Sequence, residues 1–270
     1  MTGVWPIALI TLKEGIRNRA FYGITVLALM LSVFNFIICG MIPRDVGKVA
    51  VDIALSTVSF SGLLLVLFVG INLMAKDLDR KTIYMVLSRP ISRSQYIIGK
   101  FTGMVLIVLA AVLCLSVISV LTVFLIKMSY PGYFPRFSPP LILLALAFIT
   151  VSLIMLSALS MLFSSVTTSS FISLTLTIIA YLIGQSLRDV KALVEAPDAA
   201  GINPSVATVK MVQAAYYLFP NLSLFDIKVQ AAHALPISLP YVLWSMAYGT
   251  VYTVIAVFLA ALIFKRRELS

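Results

Sequence analysis

Gly99-Lys100-Phe101-Thr102 is the closest this chain comes to a phosphate-binding loop, and the spacing defeats it. Ser94 stands where the first glycine of such a loop belongs, and Phe101 stands where a hydroxyl should follow the lysine. No backbone cradle for phosphates is expected, so the chain is not expected to hydrolyse ATP. Other chemistry is equally short of material. His233 is the only histidine, which leaves no Ser-His pair and no histidine-based metal site. Cys39 and Cys114 both fall in apolar runs, without metal-ligand spacing and with no disulfide expected. The 11 methionines are scattered without a repeat, so a copper path is not supported. Ionisable residues inside a membrane are functional by default, and the apolar runs contain none. Their strongest polar groups are Asn35, Asn72 and Gln185. That argues against an ion-coupled carrier, although backbone carbonyls can also bind sodium.

One polar pattern does sit inside an apolar run. Ser169, Ser173, Thr177, Tyr181 and Gln185 recur every fourth residue and share one helix face. They are candidates for lining a translocation path at a dimer interface. The alternative is close helix packing with local hydrogen bonds, which small polar residues favour in membranes.

The elements that hold these residues follow from composition. At 61% hydrophobic and 11% charged, with a mean hydropathy of +1.08, the chain is not a soluble domain. Its uncharged stretches exceed the roughly 20 residues that cross a bilayer. They are continuous rather than alternating, so helices rather than barrel strands satisfy the backbone. The expected fold is an all-α integral membrane protein, a single transmembrane domain over the whole chain, with six spans at about 20–42, 53–75, 101–126, 140–163, 170–187 and 241–264. No small-x-small cleavage pattern ends the first run, which is read as a retained anchor.

Net charge is +10. In a soluble protein this would suggest nucleic acid; here the excess is topological, and no nucleic-acid partner is expected. Placing both termini inside puts Lys13, Arg17, Arg19, the cations of segment 76–100 and Lys265-Arg266-Arg267 on the cytoplasmic side. Only Glu14, Asp77, Asp79 and Glu268 oppose them, whereas the cations of the outer loops are nearly balanced by acids. Residues 4–19 carry Ile7, Ile10, Leu12 and Ile16 against Lys13, Glu14 and Arg17, with Trp5 at headgroup level. They are read as an amphipathic elbow helix in the inner interface, the alternative being a plain cytosolic tail. The outer segment 188–240 is the only sizeable region between spans. Asn203-Pro204 is read there as a helix start and Phe219-Pro220-Asn221 as its stop, with a second short helix at about 223–235, the two forming an outer lid.

Segment 76–100 gathers Lys76, Arg80, Lys81, Arg89, Arg93 and Lys100. A short helix over about 77–87 would place Ile83, Val86 and Leu87 on one face, with Tyr84 beside them. It must stop near Ser88-Arg89, because Pro90 disfavours the helical conformation of the residue before it. Ser92-Arg93-Ser94-Gln95 then fits a capping box that opens a new helix. Running unbroken from Arg93 to Ile126, that helix would be about 51 Å long, more than the hydrocarbon needs. Its first turns would stand in the cytosol and brace the short helix as a lever.

This block resembles the cytoplasmic signature of type-2 (exporter-type) ABC transporter permeases. The family's acidic residue, Thr-Leu-like pair, Leu-Leu-Ser-x-Pro-like turn, arginine and Gly-Lys are matched by Asp79, Thr82-Ile83, Val86-Leu87-Ser88-Arg89-Pro90, Arg93 and Gly99-Lys100. The layout of elbow, six spans and large outer segment is similar over the whole chain. Lys81 stands where many members have glycine. With the Tyr-Leu-Phe-Pro-Asn run at 217–221, this is nearer to the branch containing copper-enzyme-maturation and gliding-motility permeases. The resemblance implies a coupling helix in 79–87, with Asp79, Thr82, Ile83, Tyr84, Leu87 and Arg93 contacting or supporting a separate cytoplasmic ATPase. It implies two permeases and two ATPases in the assembly, no cofactor in this chain, and ATP and Mg bound by the partner. It further implies an exporter in a bacterial or archaeal cytoplasmic membrane, with a periplasmic protein as an additional partner at the outer lid. The alternatives are a gradient-driven carrier or channel, and a non-transporting scaffold for a periplasmic partner. An intramembrane lipid enzyme would need clustered acids or histidines, and the sequence shows no such cluster.

Overall fold

A computed structural model describes residues 3–42, 44–70, 92–134, 137–167, 169–195 and 205–266. Among them the chain is helical throughout, without a strand. In order, the helices are α1 (Val4–Ile16), α2 (Arg19–Met41), α3 (Val46–Leu65), α4 (Arg93–Ser129), α5 (Pro139–Val166), α6 (Ser170–Glu195), α7 (Val206–Leu218), α8 (Lys228–Ala232) and α9 (Leu239–Arg266). Six of these, α2 to α6 and α9, are long and apolar enough to cross a membrane.

α1 and α2 are separate helices. The Asn18 side chain accepts from the Ala20 amide at 3.0 Å and starts α2, so the break at Arg17 and Asn18 separates the two helices. Asn35 then ties α2 to α3 in the apolar interior: its Nδ2 donates to the Ala50 carbonyl at 3.0 Å. A buried amide in hydrocarbon must find such a partner, so it also fixes how the two helices pair.

α3 starts at Val46, a full turn and more before the expected start near 53, and so carries Lys48 and Asp52 on its first turns. Hydropathy alone ends a span at its last charge, whereas a helix can project past the hydrocarbon and keep its charges in the headgroups. α3 closes in a π-helical turn, Val66–Gly70, and the expected end at 75 lies outside the described residues. α4 is 37 residues long, about 55 Å. α6 likewise runs beyond 187 to Glu195.

α3 and α5 form the centre, with Leu55, Val58, Phe148, Met155 and Leu156 almost fully buried. The most extensive packing pairs α1 with α4 and α5 with α9. The outer segment departs from a flat lid. α7 starts from Ser205, whose hydroxyl accepts from the Thr208 amide at 3.2 Å; Asn203 and Pro204 lie outside the described residues. After α7 the chain turns inward. Asn221, Leu222, Ser223, Phe225 and Ile227 are buried, and a 3-10 turn over Leu222–Phe225 fills the space between α5, α6 and α9. In place of a second lid helix over 223–235 there is this plug followed by the short α8.

Candidate functional site

Of the residues expected to meet an ATPase, Asp79, Thr82, Ile83, Tyr84 and Leu87 lie outside the described residues, and Arg93 lies within them. Arg93 is the first residue of α4, and the box that opens the helix is complete. The Gln95 amide donates to Ser92 Oγ at 3.2 Å, and the Ser92 amide donates to Gln95 Oε1 at 3.0 Å. Two otherwise orphaned amides are satisfied, so α4 keeps its form to the first turn.

That first turn is fastened on two sides. Arg93 Nη1 donates to the Lys265 carbonyl at 3.4 Å, and Tyr96 stacks on Phe264 with ring centroids 5.9 Å apart. Both partners belong to the last turns of α9. On the other side, α1 lies against the glycines of α4. A Cβ on Gly99 would stand 3.0 Å from the Val4 carbonyl oxygen and 2.9 Å from Ile7 Cβ. One on Gly103 would stand 2.5 Å from Thr11 Cβ. Only glycine allows this approach. Lys100, between the two glycines, is 4% exposed. The root of α4 is thus a joint of three segments far apart in sequence. The sequence reading missed the seam, although Gly99 and Gly103, four apart on an apolar helix, are a small-residue signal.

The stripe on α6 faces its own protomer. Ser173 and Thr177 are buried, and Ser173 shares a 2.5 Å hydrogen bond with Thr167 on the link from α5. Thr177 Oγ1 donates to the Ser173 carbonyl at 2.7 Å. Ser169, on the link itself, accepts from the Ser173 amide at 3.1 Å. Tyr181 and Gln185 border a cavity of about 20 Å³ with Ser59, Ser152, Phe225 and Asp226, room for about one water. Gln185 Nε2 donates to Asp226 Oδ2 at 3.2 Å. Lys228 Nζ stands 3.4 Å from the same oxygen.

The plug is anchored from α9 as well. Tyr248 Oη accepts from the Asn221 amide at 2.9 Å, and Tyr241 Oη donates to the Leu224 carbonyl at 2.6 Å. Gly184 of α6 admits the Pro220 carbonyl oxygen to within 2.5 Å of where a Cβ would be. Phe148 lies between Phe225 and Tyr241, at 5.9 and 6.2 Å between centroids. Such a set of polar contacts satisfies non-helical backbone, as burial between helices demands.

A family model described as ABC-2 family transporter protein matches residues 5–269, elbow through last span. The chain belongs to the ABC-2 transporter family. It is a type-2 ABC permease, the membrane subunit of an ABC transporter and a multi-pass membrane protein. Membership implies an ATPase subunit as partner. No curated protein matches the chain closely enough to count as a relative.

Proposed function

We propose that this ABC-2 permease is an exporter subunit driven by a separate cytoplasmic ATPase, with two copies of each chain in the transporter and both permease termini cytoplasmic. The ATPase supplies ATP and Mg chemistry; this chain converts the resulting displacement into opening of the outer end. The observation that carries the reading is the capped, doubly fastened root of α4. A push on the segment before Ser92 meets a rigid helix about 55 Å long, not a frayed end. The same displacement reaches α1 through the glycine seam and α9 through Tyr96 and Phe264.

Segment 79–87 is the docking segment in this proposal. Asp79, Thr82, Ile83, Tyr84 and Leu87 meet the ATPase, and Arg93 supports them from α4. The plug is the outer gate in its closed position. The α6 stripe serves it as a polar seam: Ser173 and Thr177 hold α6 to its own protomer, and Gln185 latches Asp226. Withdrawal of the plug would expose Tyr181 and Gln185 to the path of the substrate.

The test is co-purification and turnover with the partner ATPase subunit. Leu87→Asp is expected to leave membrane insertion intact, abolish ATPase co-purification and remove permease-dependent ATP hydrolysis. Normal ATPase binding by that variant would end the coupling role assigned to segment 79–87. Transport by liposomes containing the permease alone, driven by a gradient, would overturn the ATP-driven reading as a whole.

A further inference from the structure

At the outer end of the bundle, the start of α3, the link into α5 and the turn after α8 enclose a cavity of about 300 Å³, which the transport cycle above does not use. Its size is at the small end of the range for ligand pockets. Its wall is apolar, built by Val51 on α3, Phe134 and Phe137 before α5, and Ala231 and Ala232 on α8. Its rim is polar and carries Asp45, Lys48 and His233. An apolar wall below a charged rim fits an amphiphile rather than an ion or a sugar.

The sign of the rim decides the head group. Lys48 is on the rim, Arg44 is close enough to act on Asp45, and Asp45 is the only acid among the lining residues. Lys48 Nζ lies 2.7 Å from Asp45 Oδ1. The Asp45 carboxyl is held below the usual carboxylate range by that hydrogen bond and charge, with His233 and Arg44 adding to the effect. An ammonium has three donors, and one suffices for Asp45. Lys127 Nζ stands 4.4 Å over the Phe137 ring, so a further cation lies beside the wall. Gly47 lines the cavity in the first turn of α3, the positive end of the helix dipole. His233 Nδ1 lies 3.0 Å from the Val229 carbonyl; a carbonyl only accepts, so Nδ1 carries the proton.

A second observation points to the same place. Among the described residues, Asp45 and Ala234 are the two non-glycine residues with positive φ, at 58° and 51°. Asp45 is on the cavity rim, and Ala234 joins the lining residues His233 and Leu235. Alanine has no side-chain hydrogen bond to compensate for this conformation, and such backbone is retained preferentially where a ligand is clamped.

We propose that this cavity binds one anionic amphiphile, an apolar chain or aromatic ring that ends in a carboxylate or phosphate. The apolar part lies against Phe134 and Phe137, and the head meets Lys48 and the first turn of α3. Because α3 forms one wall and the α8 turn another, an occupant braces the outer segment against the bundle. The site does not depend on the direction of transport. Its ligand can come from the outer leaflet or from the outer aqueous phase.

The test uses the full-length permease in nanodiscs of zwitterionic lipid, with a long-chain diazirine fatty acid as the probe and its methyl ester as the neutral match. Mass spectrometry of the cross-linked peptides is expected to place the acid on segments 133–138 and 231–235, with the ester about tenfold weaker there, as for one lost charge-assisted hydrogen bond. Lys48→Ala should reduce labelling by the acid to the level of the ester. Ser138→Phe should fill the cavity and abolish labelling of both segments; Ser138 makes no side-chain cap bond at the start of α5, so no cap bond is lost. Displacement of the probe by soluble phenylbutyrate identifies an aqueous ligand, and displacement by lysophosphatidic acid alone identifies a lipid. Equal labelling of the two segments by acid and ester in the unaltered protein would overturn the proposal. So would labelling that survives Ser138→Phe in a variant with an unchanged melting temperature.

Discussion

Gly103 of α4 lies so close to Ala8 of α1 that a Cβ on Gly103 would stand 2.9 Å from the Ala8 carbonyl oxygen. The atom in the way is backbone, and the neighbouring Thr11 Cβ would be closer still, at 2.5 Å. Neither can rotate aside. Gly103→Ala sets two effects against each other: alanine gains about 1 kcal/mol of helix propensity over glycine, while overpacking costs about 1–3 kcal/mol. The clash should win. The expected outcome is a lower melting temperature, with hydrogen exchange rising in residues 4–16 before the rest of the chain. Gly23→Ala is the control, since a Cβ there meets nothing within 4 Å and should be neutral or stabilising. A Gly103→Ala protein as stable as Gly23→Ala would show that the elbow is not seated on this seam.

The Tyr96–Phe264 stack is expected to couple α4 to α9 energetically. A double-mutant cycle with Tyr96→Leu and Phe264→Leu should return an interaction of about 0.5–1.5 kcal/mol, the range for aromatic pairs. Each single variant should also lower ATPase stimulation by the permease without releasing the ATPase. Additive stability effects would mean that the ends of α4 and α9 lie together without holding each other.

The spans and the capping box were legible because both are local. Hydropathy over some 20 residues reports hydrocarbon burial, and Ser92 with Gln95 needs only a three-residue spacing. Helix α3 begins before the expected span because a helix can run on past the apolar stretch, so Lys48 and Asp52 bound the apolar run without ending the helix. Ser205 starts α7 through its contact with Thr208, and the expected start at Asn203-Pro204 lies outside the described residues. The partners across the Gly99–Gly103 seam and the plug were not legible for another reason. What Gly103 is for depends on Ala8 and Thr11, and what Gly184 is for depends on Pro220; those partners are set by tertiary packing, which periodicity within one helix does not report. The α6 stripe was visible as a pattern, but the sequence left open what it faces, and the structure turns Ser173 and Thr177 inward.

Asp226 should govern the stability of the plug. Its carboxylate serves Gln185, the Lys228 ammonium and, through Oδ1, the Lys228 amide at 3.3 Å. Asp226→Ala removes all three at once. The carboxylate is part-exposed, so the ion pair contributes little, and the hydrogen bonds dominate at about 1 kcal/mol each. Hydrogen exchange over 220–227 is expected to accelerate about tenfold or more, while α3 and α5 keep their protection. A cysteine at Leu222, buried in the closed plug, should become reactive to a membrane-impermeant maleimide added outside. Unchanged protection over 220–227 would remove Asp226 from any gating role.

Ala234→Gly tests whether the turn after α8 carries strain. At φ 51° the alanine Cβ crowds the following carbonyl, at a cost of about 1–2 kcal/mol that glycine avoids. Glycine in turn gives the unfolded chain more freedom, which removes up to about 1 kcal/mol of that gain. The net expectation is a small rise in melting temperature for the variant, opposite in sign to the usual effect of placing glycine in a folded segment. If the strain serves the neighbouring cavity, the same variant should label less with the diazirine acid even though it is more stable. The two readouts moving in opposite directions separates a functional clamp from a turn that is merely tolerated. A variant that is both less stable and less labelled would instead mean that alanine is the better residue at this turn for packing alone.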